Sequence, residues 1–283
     1  MPRWKRLRID APARWRHNRV SLHPANALVN DLFSLKGRVA LITGGSRGIG
    51  RMIAEGFVAQ GARVYISARK AEACESTAAL LSVGGECIAL PADVSTLAGA
   101  QGLAHALAAR EPALDILVNN AGAAWAESFD TFTEKGWDKV VDLNMKAPFF
   151  LTQALIGLLR AAAQTRVAKV INIVSIDGIS VNQWETYSYA ASKAGLIHLT
   201  RRMALALIKD NIAVSAIAPG AFASEMNRDA RDNAAEAIKR IPAQRIGSAE
   251  DMAGAAIYLA SRAGDYVVGG TLVVDGGITL ARG

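Results

Sequence analysis

Seven short runs of β-branched and apolar residues recur along the chain, each separated from the next by a longer stretch rich in Ala and Leu. The runs are residues 38–43, 63–68, 87–91, 116–119, 169–175, 213–218 and 271–275. Helix-like stretches lie near 50–60, 71–83, 97–110, 133–163, 187–209 and 249–260. Strands that read as continuous apolar runs are covered on both faces, and a strand–helix–strand alternation with right-handed crossovers gives a doubly wound parallel sheet. The expected fold is therefore α/β, a single-domain Rossmann-like sheet of about seven strands spanning 32–283. No internal repeat or low-complexity segment interrupts it.

Two regions depart from the alternation. Residues 220–247 are polar, carry Arg228, Asp229, Arg231 and Asp232, and show no clear strand. A long insertion after the sixth strand, at the carboxyl edge of the sheet, is the expected place of a substrate loop. The other region is the amino-terminal extension, 1–31, read as a disordered basic tail. It holds seven Lys/Arg and two acids, a net of +5 out of a formal +7, so the rest of the chain carries an ordinary +2. The basic excess belongs to the extension, which leaves little argument for a nucleic-acid surface.

A hydrophobic content of 51% with 20% charged residues belongs to a globular chain. No apolar run approaches the roughly 20 residues of a membrane span, and a cytoplasmic location is expected. Cys74 and Cys87 cannot make a disulfide framework or a four-ligand zinc site, and His17, His23, His105 and His198 lack ligand spacing. No metal is expected.

The first strand runs into Gly44-Gly45-Ser46-Arg47-Gly48-Ile49-Gly50, with a helix beyond it. Glycines here permit a tight turn and let a pyrophosphate approach the backbone at a positive helix N-terminus. About 20 residues on, where an acid would select NAD, the second strand instead ends in Arg69-Lys70. Guanidinium groups at Arg47 and Arg69 suit a 2′-phosphate, so the expected cofactor is NADP(H).

Ser175 closes the fifth strand, and Tyr189 and Lys193 follow four residues apart on one helical face. An ammonium near a phenol stabilises the tyrosinate, and Lys193 together with an oxidised nicotinamide, both cationic, is expected to bring the phenol toward neutrality. Tyr187 has Ala191 four residues on and lacks such a partner.

Gly44-x-x-x-Gly48-x-Gly50, Asn119-Asn120-Ala121-Gly122, Asn144, Ser175, Tyr189-x-x-x-Lys193 and Pro219-Gly220 occur in the order and at the spacings of the short-chain dehydrogenase/reductase family, which the chain resembles from about residue 35 to 277. The resemblance implies that Tyr189 is the acid/base, Ser175 orients the carbonyl oxygen, Lys193 tunes the tyrosine and holds the nicotinamide ribose, and Asn144 supports a water relay. It implies cofactor contacts at Gly44, Ser46, Arg47, Gly48, Ile49, Gly50, Arg69, Asp93, Val94, Asn120, Ala121, Gly122, Tyr189, Lys193, Pro219, Gly220 and Ser224, and a homotetramer built on the helices at 133–163 and 187–209. The gap from Ser175 to Tyr189 is one residue longer than the family's usual.

Residues 30–37 and 71–74 resemble the rhamnolipid-biosynthesis type of 3-oxoacyl reductases within that family. Trp125, Ile176, Trp184 and Phe222 are then candidates to line the substrate pocket. A 3-oxoacyl thioester is the favoured substrate. The expected carrier-docking cations are not clean, with only Lys209 and Arg160 in place, so a free small ketone or secondary alcohol stays open. A dinucleotide-binding protein without catalysis is the remote alternative.

Overall fold

The computed structural model describes residues 31–223 and 234–281. The basic extension, apart from Asp31, and Ser224 lie outside the described residues.

The strands are β1 (Val39–Thr43), β2 (Arg63–Ser67), β3 (Glu86–Ala89), β4 (Ile116–Asn119), β5 (Ala168–Ile173), β6 (Ile212–Pro219) and β7 (Thr271–Val274). They form one sheet of order β3-β2-β1-β4-β5-β6-β7, and every pairing is parallel. Helix α1 (Gly48–Ala59) follows β1, α2 (Ala71–Leu81) follows β2, and α3 (Leu97–Ala108) follows β3. Between β4 and β5 come α4 (Glu134–Val141), α5 (Ala147–Ala154) and α6 (Ile156–Ala163). The long α7 (Tyr187–Leu207) joins β5 to β6, and α8 (Ala234–Ile238) and α9 (Ala249–Ala260) lie between β6 and β7.

Side chains on successive strand residues point to opposite faces, so each strand feeds two cores. Ala40 and Ile42 of β1, with Ile171 and Ile173 of β5, pack against Phe57 of α1 and Met252 of α9. Leu41 and Val170 face the other way, onto Leu103 of α3, Leu151 of α5 and Met203 of α7. The parallel doubly wound sheet expected from the sequence is thus the observed one.

The expected single helix over 133–163 is instead three. The backbone N–H of Ala147 bonds to the carbonyl of Asp142, a wide π-type turn over Asp142–Lys146, and the chain bends again at Leu155, where φ is −91° and ψ is 1°. Pro148 supplies the reason. It has no N–H to give to the carbonyl of Asn144 four residues back, so the regular ladder cannot continue there.

One polar chain crosses the core. Asn119 and Asn172 sit side by side in register on β4 and β5. Asn119 Nδ2 donates to Asn172 Oδ1 at 2.9 Å and to Thr152 Oγ1 of α5 at 3.3 Å, and Asn172 Nδ2 donates to Thr200 Oγ1 of α7 at 2.9 Å. All four residues are buried.

Candidate active site

The carboxyl ends of the strands share one edge of the sheet. Between β1 and β4 the winding reverses, and a crevice opens there. The glycine loop after β1 forms one wall. Gly44 and Gly48 have φ of +66° and +52°, and a Cβ at Gly45 would stand 2.7 Å from Ile66. A Cβ on Gly50 would run into the Gly44 carbonyl.

Helix α1 begins at Arg47 with no side chain capping it and no acid in its first turn. Thr96, Thr133 and Ser248 cap α3, α4 and α9. Free N–H groups in a close-approach glycine cradle match a dinucleotide pyrophosphate. Arg47 and Arg69 are exposed at the loop and at the end of β2. Burial raises the Asp93 carboxyl, but hydrogen bonds from Ser95, with a smaller contribution from the Arg69 charge, bring it below its usual range. Asp93 Oδ1 accepts from the Ser95 amide at 3.0 Å and from its hydroxyl at 2.7 Å, and the neighbouring Val94 is buried.

The floor is tied by a residue absent from the sequence-based set. Thr43 Oγ1 accepts from the amides of Asn120 and Ala121, both at 3.0 Å, and Asn120 Nδ2 donates back to the Thr43 carbonyl at 2.9 Å. Its one signal in the sequence is its place directly before the glycine loop.

Ser175, Tyr189, Lys193 and Asn144 meet beside this floor. Lys193 is buried, its Nζ donates to the Ile173 carbonyl at 2.8 Å, and it lies 5.6 Å from the centre of the Tyr189 ring. Asn144, fully buried in the π-type turn, accepts from the Ala123 amide at 2.8 Å and donates to the Ala123 carbonyl at 2.9 Å and to Ser192 Oγ at 3.1 Å. Ser192, a second residue not singled out from sequence, donates to the Tyr189 carbonyl at 2.8 Å. A Cβ on Gly122 would lie 3.2 Å from Asn144 Oδ1 and 3.8 Å from Lys193 Nζ, so all three meet at one point.

Lys193 by itself does not lower the Tyr189 phenol in this fold. Burial pushes it up to about 12, the Ser175 side chain pulls down against that, and the Asp177 carboxylate adds to the rise. Burial also brings the Lys193 ammonium down to about 8. Desolvation disfavours the charged form of either group and is the largest cause of both shifts.

Pro219 ends β6, and the Gly220 amide donates to the Val274 carbonyl at 2.9 Å. Among the four candidate pocket residues, Ile176 follows Ser175 in a short 3-10 turn, Trp184 is exposed on the loop before α7, and the Trp125 ring lies 4.4 Å beneath Lys139 Nζ. Phe222 differs. It is buried in the core layer with α1 and α9, and it borders a cavity of ~310 Å³ with Arg245, Asp251 and Asp275 that includes none of Ser175, Tyr189 or Lys193.

Comparison with known proteins agrees with this geometry. A family model described as enoyl-(acyl carrier protein) reductase matches residues 44–279. Over 256 residues the chain is 48% identical to the rhamnolipids biosynthesis 3-oxoacyl-(acyl-carrier-protein) reductase of Pseudomonas aeruginosa, covering 89% of this chain and 100% of that one. The chain is a short-chain dehydrogenase/reductase. Another member of the family, the 2-dehydro-3-deoxy-D-gluconate 5-dehydrogenase of Dickeya dadantii, is 38% identical over 262 residues, covering 90% of this oxidoreductase and all of its own length. The solved RhlG/NADP active-site complex of Pseudomonas aeruginosa superposes on the short-chain dehydrogenase/reductase described here with a TM-score of 0.85 at 47% identity, covering 88% of this chain and 99% of that chain. Among the described residues no helix is long and apolar enough to cross a membrane, and no cluster of His, Cys, Asp and Glu forms a metal site.

Proposed function

We propose that this oxidoreductase uses NADPH to reduce a ketone to a secondary alcohol, and that its substrate is a 3-oxoacyl thioester. The observation that carries the reading is the meeting of Ser175, the Tyr189 phenol and the buried Lys193 ammonium beside an uncapped helix N-terminus. The cradle of Gly44, Gly48 and Gly50 holds the pyrophosphate, Arg47 and Arg69 hold the 2′-phosphate, and Lys193 holds the nicotinamide ribose. One of the three ammonium protons goes to Ile173, which leaves two for ribose hydroxyls. When bound, the nicotinamide supplies the hydride.

The residues of the chain handle the proton. The Ser175 hydroxyl accepts from the Asp177 amide at 3.1 Å, so its own proton is available to donate to the substrate oxygen. Tyr189 donates its phenolic proton to that oxygen as negative charge builds on it. At neutral pH the phenol keeps that proton, the state an acid needs in the reductive direction. Lys193 and Asn144 hold the tyrosine and the floor of the cleft in register.

Identity of 48% to a named 3-oxoacyl reductase supports the thioester, and 38% identity to a gluconate-type dehydrogenase supports a keto sugar acid as the second reading. Further parts of the reading are a homotetramer, a cytoplasmic location and a substrate loop over 220–247. The test is NADPH oxidation with a 3-oxoacyl thioester. The expected result is turnover that exceeds the rate with NADH and falls at least ~100-fold in Tyr189→Phe, the range of a lost general acid. An unimpaired Tyr189→Phe enzyme overturns the mechanism, and turnover of keto sugar acids alone overturns the thioester.

A further inference from the structure

We propose that Asp177 makes this active site select carbonyl substrates that are uncharged around the reacting carbon, such as 3-oxoacyl esters and thioesters, over ketones bearing a carboxylate within a few bonds of it. The proposal rests on the reductase reading above and narrows its substrate class.

Asp177 stands two residues after Ser175, in the 3-10 turn Ile176–Gly178. Its amide is bound to Ser175 Oγ at 3.1 Å, which fixes the start of the turn to the proposed oxygen-binding hydroxyl. The end of the turn is fixed as well. A Cβ on Gly178 would lie 2.7 Å from the Lys193 carbonyl carbon, so the backbone rests directly on α7 one helical turn beyond Tyr189. The half-buried Asp177 side chain is therefore held beside the site, and no ion pair neutralises it among the described residues. Burial raises its carboxyl, and Asn182, its side-chain partner, acts against that rise. Its charge reaches the Tyr189 phenol and raises it.

The surrounding rim adds charge of the same sign. Glu127 accepts from the Thr133 amide and hydroxyl at 2.7 and 2.8 Å, contacts that favour its ionised form. Glu185 accepts from the Phe129 amide at 3.3 Å, and its charge, with that of Asp130, reaches Tyr187, two residues before Tyr189. Lys139 of α4 lies over the Trp125 ring. A substrate carboxylate entering here meets like charge in a partly desolvated setting, where Coulomb repulsion exceeds its value in water. An ester or thioester of the same skeleton meets none.

The experiment compares a free 3-oxo acid with its methyl ester and its N-acetylcysteamine thioester, using NADPH and the full chain, in wild type, Asp177→Asn and Asp177→Glu. The wild type is expected to prefer the methyl ester over the free acid by about 100-fold in kcat/KM, chiefly through KM. Asp177→Asn, which keeps shape and the amide contact, is expected to shrink that ratio about tenfold, while Asp177→Glu keeps it. Asp177→Asn is also expected to move the alkaline limit of ester reduction to lower pH, because a raising influence on the proton-donating Tyr189 is gone; the nearby Lys193, Glu127 and Glu185 are unaltered. A ratio unchanged within about twofold in Asp177→Asn, or a wild type that reduces the free acid as readily as the ester, overturns the proposal. Reduction of the methyl ester but not the thioester overturns the thioester reading and leaves charge selection standing. Turnover of none of the three overturns both.

Discussion

Lys193 carries an ammonium into a place where its charge is poorly solvated, and the consequence can be read from unfolding. In the unfolded chain a lysine titrates near its ordinary 10.5, and in the folded protein Lys193 titrates at about 8. Between these values the unfolded state binds more protons, so this residue's contribution to stability rises with pH across that window. The cost of burying the charge is fully present below pH ~8 and vanishes above the unfolded value. Urea unfolding of the protein without cofactor should therefore show Lys193→Met gaining most over wild type at or below pH 8, with the gap closing toward pH 10.5. A gap independent of pH would show that the ammonium is well solvated. Above about pH 10 the opposite trend sets in, because Tyr189, held at about 12, binds more protons folded than unfolded. The pairing of Tyr189 with Lys193 was legible from their spacing of four. The direction of the tyrosine shift was not, because helical spacing reports who is near and not how dry the place is.

At the scale of elements, sequence periodicity found every strand, read α4, α5 and α6 as one helix and missed the short α8. Residues 133–163 have helical composition throughout, and Pro148 was the visible warning. What could not be read was that the break would be a wide turn presenting Asn144 to the cleft, since that depends on Ala123 and Ser192 arriving from distant strands and helices. Helix starts were more legible. Ser248 caps α9 by accepting from the Asp251 amide at 3.3 Å, while Asp251 accepts from the Ser248 amide at 2.8 Å. Ser248→Ala should lower stability by about 1 kcal/mol, as lost caps do, without changing the affinity for NADPH. Urea midpoints and cofactor titration check the two halves separately. A change in affinity would mean that α9 is coupled to the cofactor crevice.

For the whole molecule, a doubly wound parallel sheet follows from crossover handedness and apolar strands, so the architecture was readable in the sequence. The position of Phe222 was not, because an aromatic residue after a strand serves a core and a pocket equally well. The outer faces are informative in their turn. Trp137 of α4, Phe149 of α5 and Leu205 of α7 are exposed, Leu205 to 70%, on the helices expected to meet a second copy. Light scattering after gel filtration at micromolar concentration should give four times the 29.9 kDa chain mass. Leu205→Glu should lower that mass, and a wild-type monomer would end the tetramer reading.

The side-by-side asparagines of β4 and β5 bear on how such a chain can change over generations. Asn119, Asn172, Thr152 and Thr200 hydrogen-bond to one another away from water. Replacing any one with an apolar residue leaves its neighbour's amide or hydroxyl stranded, at about 1–3 kcal/mol. Replacing all of them with matched apolar groups can be nearly neutral. Two viable cores are thus separated by a barrier of single substitutions, each consuming a sizeable share of a typical margin of about 5–15 kcal/mol. Descendants of this chain are expected to inherit the four positions as a block, while the exposed residues of the cleft rim drift one at a time.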